Sequence, residues 1–221
     1  MCGRYVLSTP APALFREFGL DQTLFTIQPS YNIAPSQPVI IIAQEGEKKA
    51  MRSRWGFIPH WARDPSIGHK MINARAETVA EKPAFRDAFR NHRCLIPSDG
   101  FFEWRKEKGG KVPLFVRLKS GLPLSFAGLY SMWRSPEGDH ISTCTIITTT
   151  ANKLLEPIHD RMPAIIPKKH RDIWLDPALH DRDTLEPLLK PFSSEEMEAY
   201  DVTSRVNSPR FNSPENIRPV G

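Results

Sequence analysis

Proline limits this chain more than any other residue. Twenty-one prolines are scattered through the sequence. Each one fixes φ and removes a backbone donor, so no helix or strand can run far before it is interrupted. Between the prolines lie short runs rich in Val, Ile, Thr, Phe, Tyr and Trp, the residues that suit a pleated, half-buried surface. The longest uninterrupted apolar run, 39–43, is only strand-sized. The spacing predicts strands over 39–43, 51–58, 93–97, 100–105, 113–118, 124–133 and 140–150. The second of these pairs with the first, and the KGGK sequence at 108–111 turns a hairpin. Helices are expected over 10–18, with Leu14, Phe15 and Phe18 as the apolar stripe, and over 82–90, with Pro83 near its first turn. Further helical segments are expected over 167–175 and 184–189, and the Pro/Asn/Ser-rich stretch 207–219 reads as extended. Many short strands with few helices point to the α+β class. The expected fold is a single domain over 1–221, with a mainly antiparallel, barrel-like β-sheet and peripheral short helices.

At 221 residues, 40% hydrophobic and 25% charged, the chain is globular rather than disordered and long enough for one good core. Thirty Lys and Arg stand against 25 Asp and Glu. That excess fits a polyanionic partner, and it equally fits an ordinary basic protein. The N-terminus lacks the basic region and apolar run of a signal peptide. No stretch approaches the roughly 20 apolar residues of a membrane span. These features lead us to expect a cytoplasmic protein with no membrane partner. Three cysteines with no CxxC spacing argue against a disulfide framework or a thiolate metal site. Cys94 and Cys144 fall inside strand-like runs and read as small buried hydrophobes.

Cys2 is chemically different. Initiator methionine is usually removed when the next residue is small, and Cys2 would then carry both a free α-amine and a thiol. An amine beside a thiol captures aldehydes: the amine forms a Schiff base and the thiol closes a five-membered thiazolidine ring. Such N-terminal nucleophiles are an established strategy. Read alone, the residue is also compatible with having no role. Being so near the terminus, it is not expected to anchor the core. Asn73 and Arg75 lie two apart and would share one side of a strand, offering amide groups and a planar cation to one cleft; a polar turn explains the same residues. Glu103 stands between Phe102 and Trp104. Alternation sends both aromatics to the opposite face, and a carboxyl shielded from water has a raised pKa suited to proton transfer; a solvated strand-edge glutamate is the alternative. His159 is the side chain type that best moves protons near neutrality, and Arg161 beside it adds a cation, though a satisfied loop histidine fits too. Trp55, Trp61 and Trp104 each lie near an arginine, a pattern that suits base stacking with phosphate contact, although any one of them alone suits a core.

Taken together, these segments resemble the SRAP family, the SOS-response-associated peptidases or abasic-site-processing proteins. The matching residues are MCGR at the start, YNIAPSQ (31–37), RWGFIPHW (54–61), INARAET (72–78), RCLIPSDGFFEW (93–104), TTTAN (148–152), IHDRMP (158–163) and VN (206–207). They run in family order along nearly the whole chain. The resemblance implies that Cys2 is a crosslinking nucleophile and that Asn73 orients the sugar or the N-terminal amine. Glu103 would shuttle protons and His159 would act as acid or base at the sugar hydroxyl. Thr148 would line the pocket, while Arg4, Arg75 and Arg161 hold flanking phosphates; Trp61 and Trp104 are further DNA-contact candidates. No metal or organic cofactor is implied. The implied partner is single-stranded DNA containing abasic sites, with the replication machinery as a candidate protein partner, a nucleoid-associated location and a monomeric state. The family also implies self-removal of Met1. Two other classes stay open on the residues themselves: a thiol peptidase or N-terminal-nucleophile hydrolase using Cys2 with His159, and a non-covalent single-strand binder.

Overall fold

The β-branched runs become strands, and the longest of them wrap into a closed ring. The computed structural model describes residues 2–20 and 25–220. Its elements run β1 (Tyr5–Leu7), α1 (Ala11–Phe18), β2 (Ser30–Ile33), β3 (Pro38–Glu45), β4 (Glu47–Trp55), β5 (Asn73–Arg75), α2 (Arg86–Asn91), β6 (Arg93–Ser98), β7 (Gly100–Glu107), β8 (Gly110–Leu118), β9 (Leu124–Arg134), β10 (His140–Thr150), β11 (Arg161–Pro163), α3 (Arg171–Leu175), α4 (Arg182–Leu185) and β12 (Met197–Asp201). Strands β4, β3, β6, β9 and β10 hydrogen-bond in that order, and β10 returns to β4 to close a barrel. The closing pair is parallel, with Thr143 opposite Arg54 and Cys144 opposite Trp55. The other barrel pairs are antiparallel. The class is therefore α+β with a five-stranded mixed barrel, and closure leaves these strands no open edge to pair with another chain.

Buried Ile41, Trp55, Ile96, Phe126 and Ile146 belong to the main core, each contributing roughly 1.5–3 kcal/mol by leaving water. Cys94 and Cys144 are fully buried as well. Burial pushes the Cys144 thiol up to about 12 and raises Cys94 in the same direction, so both are inert. A second, antiparallel sheet runs β12–β8–β7–β1–β2. It buries Val6, Phe102 and Phe115 with Val202 and Val206 in a smaller cluster. Gly100 is required where this sheet is tightest, because a Cβ there would strike the Phe115 ring and the Val116 carbonyl oxygen.

Three sequence expectations change. The strand expected over 51–58 ends at Trp55, because Gly56 takes φ +141° and its N–H goes to the Cys144 carbonyl. The helix expected over 82–90 is regular only in α2; its first bond, Arg86 N–H to Lys82 C=O, places Pro83 in the opening turn. The C-terminal stretch is not simply extended. It forms 3-10 turns at Ser204–Asn207 and Pro214–Ile217, each started by a hydroxyl cap, from Thr203 and Ser213. Among the described residues no helix is long and apolar enough to cross a membrane.

Candidate active site

The register of β1 on β7 decides where the N-terminus lies. Tyr5 faces Phe101 and Val6 faces Gly100, and the Phe102 N–H donates to the Arg4 carbonyl at 3.0 Å. In an antiparallel pair each step back along one strand is a step forward along the other. Cys2 and Gly3 therefore run alongside Glu103 and Trp104. Contrary to expectation, Cys2 does anchor the core: it is fully buried and packs in the main cluster with Tyr5 and Leu7. The register accounts for this, because it draws the terminus inward along β7. Burial, and then the charge of Glu103, push the Cys2 thiol well above its ordinary value. Met1 and its expected removal lie outside the described residues.

Alternation along β7 turns Phe102 and Trp104 into the smaller cluster and Glu103 to the opposite side. Glu103 is only 3% exposed. Burial pushes its carboxyl up to about 7, with the charge of Asp160 adding to the rise. At neutral pH the group is divided between acid and base. Glu103 and Trp104 border a cleft of about 940 Å³ whose other walls include Lys106, His159, Asp160 and Asn207. His159 follows a turn opened by Asn152, whose Oδ1 accepts from the Leu155 N–H, and the His159 N–H bonds the Leu155 carbonyl. Its Nδ1 accepts from the Arg161 N–H at 3.0 Å, yet Asp160 Oδ1 lies 2.8 Å from the same nitrogen. The two contacts demand opposite protonation states. Burial lowers the His159 pKa, which favours the neutral ring with its proton on Nε2. The backbone donor then fixes Nδ1 as the acceptor, while Asp160 is open to water.

Strand β10 outgrows the barrel, and its C-terminal half gathers two short partners. β5 runs parallel to it, with Thr148 opposite Arg75; β11 runs antiparallel, with Thr150 opposite Arg161. This brings Asn73, Arg75, Thr148 and Arg161 together. Asn73 Nδ2 donates to the Ile72 carbonyl at 2.9 Å, whereas its Oδ1 is buried without a partner among the described residues. Thr148 is buried, and its Oγ1 donates to the Ala74 carbonyl at 3.3 Å. Arg161 forks onto both Glu77 oxygens at 2.6 and 3.0 Å and bonds the Thr148 carbonyl. Arg75 is exposed.

Arg4 is tied down in a different way. Its guanidinium donates to Asn32 Oδ1 at 2.8 Å, the Val206 carbonyl at 2.9 Å and the Asn207 carbonyl at 3.1 Å. It thereby clamps the C-terminal segment against the cleft, where Trp104 Nε1 donates to Asn207 Oδ1 at 2.7 Å. Trp61 is not brought to this site. It is 56% exposed and lines a separate groove with Met132, whose β10 partner is Ser142. Ser142 lies about 25 Å from the Thr150 end of that strand. Among the described residues, no group of three or more His, Cys, Asp or Glu side chains is placed to hold a metal ion. Sequence reasoning did not single out Lys106, Lys111 and Asn207. Lys111 was legible only as one end of the KGGK turn at 108–111, and Asn207 only as half of the VN pair.

A family model described as SOS response associated peptidase (SRAP) matches residues 1–209. The Abasic site processing protein YoqW of Bacillus subtilis is 48% identical over 221 residues, covering 98% of this chain and 99% of that protein. The Abasic site processing protein HMCES of Gallus gallus is 31% identical over 226 residues, covering 87% of this chain and 67% of that one. Among solved structures, a crystal structure of a Bacteroides thetaiotaomicron protein superposes with a TM-score of 0.90 at 32% identity, covering 99% of this chain and all of that one.

Proposed function

The chain belongs to the SOS response associated peptidase (SRAP) family, and from that premise we propose that it captures abasic sites in single-stranded DNA as a covalent thiazolidine on Cys2. One observation carries the reading above the rest. Cys2, which presents both an amine and a thiol once Met1 is removed, is buried close enough to feel the charge of Glu103, a buried carboxyl with a pKa of about 7. The relatives named as abasic site processing proteins supply the substrate class.

The chemistry balances without an oxidant or a metal. Hydrolysis of the Met1–Cys2 peptide bond, by the protein itself, frees the Cys2 amine. The ring-opened abasic deoxyribose offers an aldehyde at C1′. The amine adds to C1′, and the Glu103 carboxyl gives a proton to the departing hydroxyl, which leaves as water. This leaves a protonated imine; the Cys2 sulfur then adds to its carbon and passes its proton to the Glu103 carboxylate, giving the neutral ring N–H. The net change is aldehyde plus aminothiol to thiazolidine plus water. His159, neutral and holding its proton on Nε2, assists at the sugar hydroxyl during ring opening. Asn73, with a buried acceptor still unused, orients the amine or the sugar.

Incubation with single-stranded DNA carrying one abasic site, followed by a denaturing gel, tests the proposal. We expect a stable covalent band that requires Cys2 and an intact mass lacking Met1. A full-strength band from Cys2→Ala would overturn it. A salt-sensitive, purely non-covalent shift would leave only a single-strand binder.

A further inference from the structure

We propose that Lys106, Lys111 and Asn207 form a phosphodiester-binding ledge along one wall of the cleft. The inference rests on reading that cleft as the DNA site, and it names where the backbone of the strand is held. The hairpin register sets Lys106 directly opposite Lys111. Both side chains are exposed and both border the cleft. Like charges facing each other across adjacent strands repel and destabilise a sheet. Neither lysine has an ion-pair partner among the described residues. The acids nearest in the hairpin are used on the other face, where Arg105 pairs with Glu107 and Asp201. Two unneutralised cations held side by side suit a polyanion that neutralises both.

Asn207 completes the ledge. An indole N–H can only donate, so the bond from Trp104 identifies the accepting atom of Asn207 as Oδ1 and turns its amide NH2 away. That NH2 makes no hydrogen bond among the described residues, leaving two donors for an anion. Trp104 and Lys106 are two apart on β7 and share a face. An aromatic ring, two ammonium groups and an amide donor therefore line one wall. The carboxyls bordering the cleft are Glu103, Glu156 and Asp160. Lys106 and Lys111 are the only Lys or Arg side chains among the described residues lining the cleft, so a phosphodiester strand entering it is drawn to the β7–β8 hairpin.

The test is the salt dependence of non-covalent binding to an undamaged oligothymidylate. Each lost lysine contact should lower the slope of log affinity against log salt by about 0.7. K106Q/K111Q should therefore lower it by about 1.4, which makes the affinity loss between about 50 and 200 mM salt roughly sevenfold smaller than in wild type. K106R/K111R keeps both charges and should keep the slope. K48Q/K49Q removes equal charge elsewhere, where these lysines pair with Asp172 and Glu45, and should also keep it. A wild-type slope in K106Q/K111Q, or an equal fall in K48Q/K49Q, overturns the ledge. Crosslinking of abasic DNA by the wild type is measured in parallel. Its absence sinks the reading of the cleft, whereas normal crosslinking beside an unchanged slope sinks the ledge alone.

Discussion

Replacing Glu103 with Gln gives the sharpest expectation. The side chain is 3% exposed and its carboxyl sits at about 7, so Gln preserves shape and removes the proton. In the proposed reaction the amine must be unprotonated to attack, and the carboxyl must be protonated to expel water. An α-amine has an ordinary pKa of about 7.7–8.0. With these two groups the wild-type rate of crosslink formation should trace a bell whose maximum lies between about pH 7 and 8. Its acid limb belongs to the amine and its alkaline limb to Glu103, although the apparent values belong to the interacting pair. Glu103→Gln should be slower by about 10²–10⁴-fold near neutrality. It should also lose the alkaline limb, so that its rate rises with pH and levels off. Single-turnover crosslinking from pH 5 to 9, quenched onto denaturing gels, reads both features. Affinity for undamaged single-stranded DNA should stay near wild type. The same carboxyl sets a stability trend. Its folded pKa lies above its unfolded value, so its contribution is fully present below about 4.5 and is lost as pH rises through about 7. The full swing is on the order of 3 kcal/mol, and thermal melts of Glu103→Gln should lack it. A variant that crosslinks at the wild-type rate with the alkaline limb intact would refute the relay and make Glu103 structural.

Cys2→Ala, besides losing the crosslink, should cost about 1 kcal/mol in denaturant unfolding, because a fully buried sulfur leaves the core; an unchanged midpoint would contradict its place there. Arg75→Ala should lower the salt slope of single-strand binding by about 0.7, and an unchanged slope would remove Arg75 from the phosphate contacts. Arg4→Ala should cost about 2 kcal/mol and open the C-terminal segment to limited proteolysis, since three charge-assisted bonds to Asn32, Val206 and Asn207 are lost together. Normal protease resistance with weakened DNA binding would return Arg4 to a phosphate role.

The strands that sequence placed well are those long enough to show alternation. The sequence locates β7, β8, β9 and β10 to within a few residues because each carries several β-branched or aromatic side chains, and β6 by its apolar Cys94–Leu95–Ile96 run. β1, β2 and β11 span only three or four residues, too few for a period to register, and β12 reads MEAYD, whose acids are poor strand formers. The closure of the barrel was legible only as a tendency. The parallel β10–β4 contact joins segments about ninety residues apart, and no local pattern encodes it. The same gap explains the site. Asn73, Glu103 and His159 stood out by residue type and surroundings, but the burial of Cys2 depends on a register between β1 and β7 that local sequence does not display. Arg4 and Arg161 read as phosphate ligands because a guanidinium suits that task. Within the protein, Arg4 bonds Asn32 and the Val206 and Asn207 carbonyls, and Arg161 bonds Glu77 and the Thr148 carbonyl, long-range pairings that local sequence does not display. Trp61 was grouped with the site by motif and stands at the other end of β10.

Local electrostatics also discriminate between aldehyde capture and thiol peptidase chemistry. A cysteine peptidase rests on a thiolate paired with an imidazolium, which needs the thiol pKa pulled down and the imidazole held charged. Here burial moves both groups the other way: the Cys2 thiol goes up and the His159 imidazole goes down. Each shift favours the neutral form, so the ion pair is opposed from both sides. Thiazolidine formation does not need that pair. Its first nucleophile is an amine, and the thiol acts only after an imine has formed, within the same residue and therefore at very high effective concentration. The thiol can then react as it surrenders its proton to a neighbouring carboxylate. In the proposed reaction the Glu103 carboxyl, at about 7, has by then given its proton to the leaving water and is the base at hand. Burial that opposes a Cys2–His159 thiolate–imidazolium pair thus matches the proton order proposed for aldehyde capture, with acid needed first and base second from one side chain.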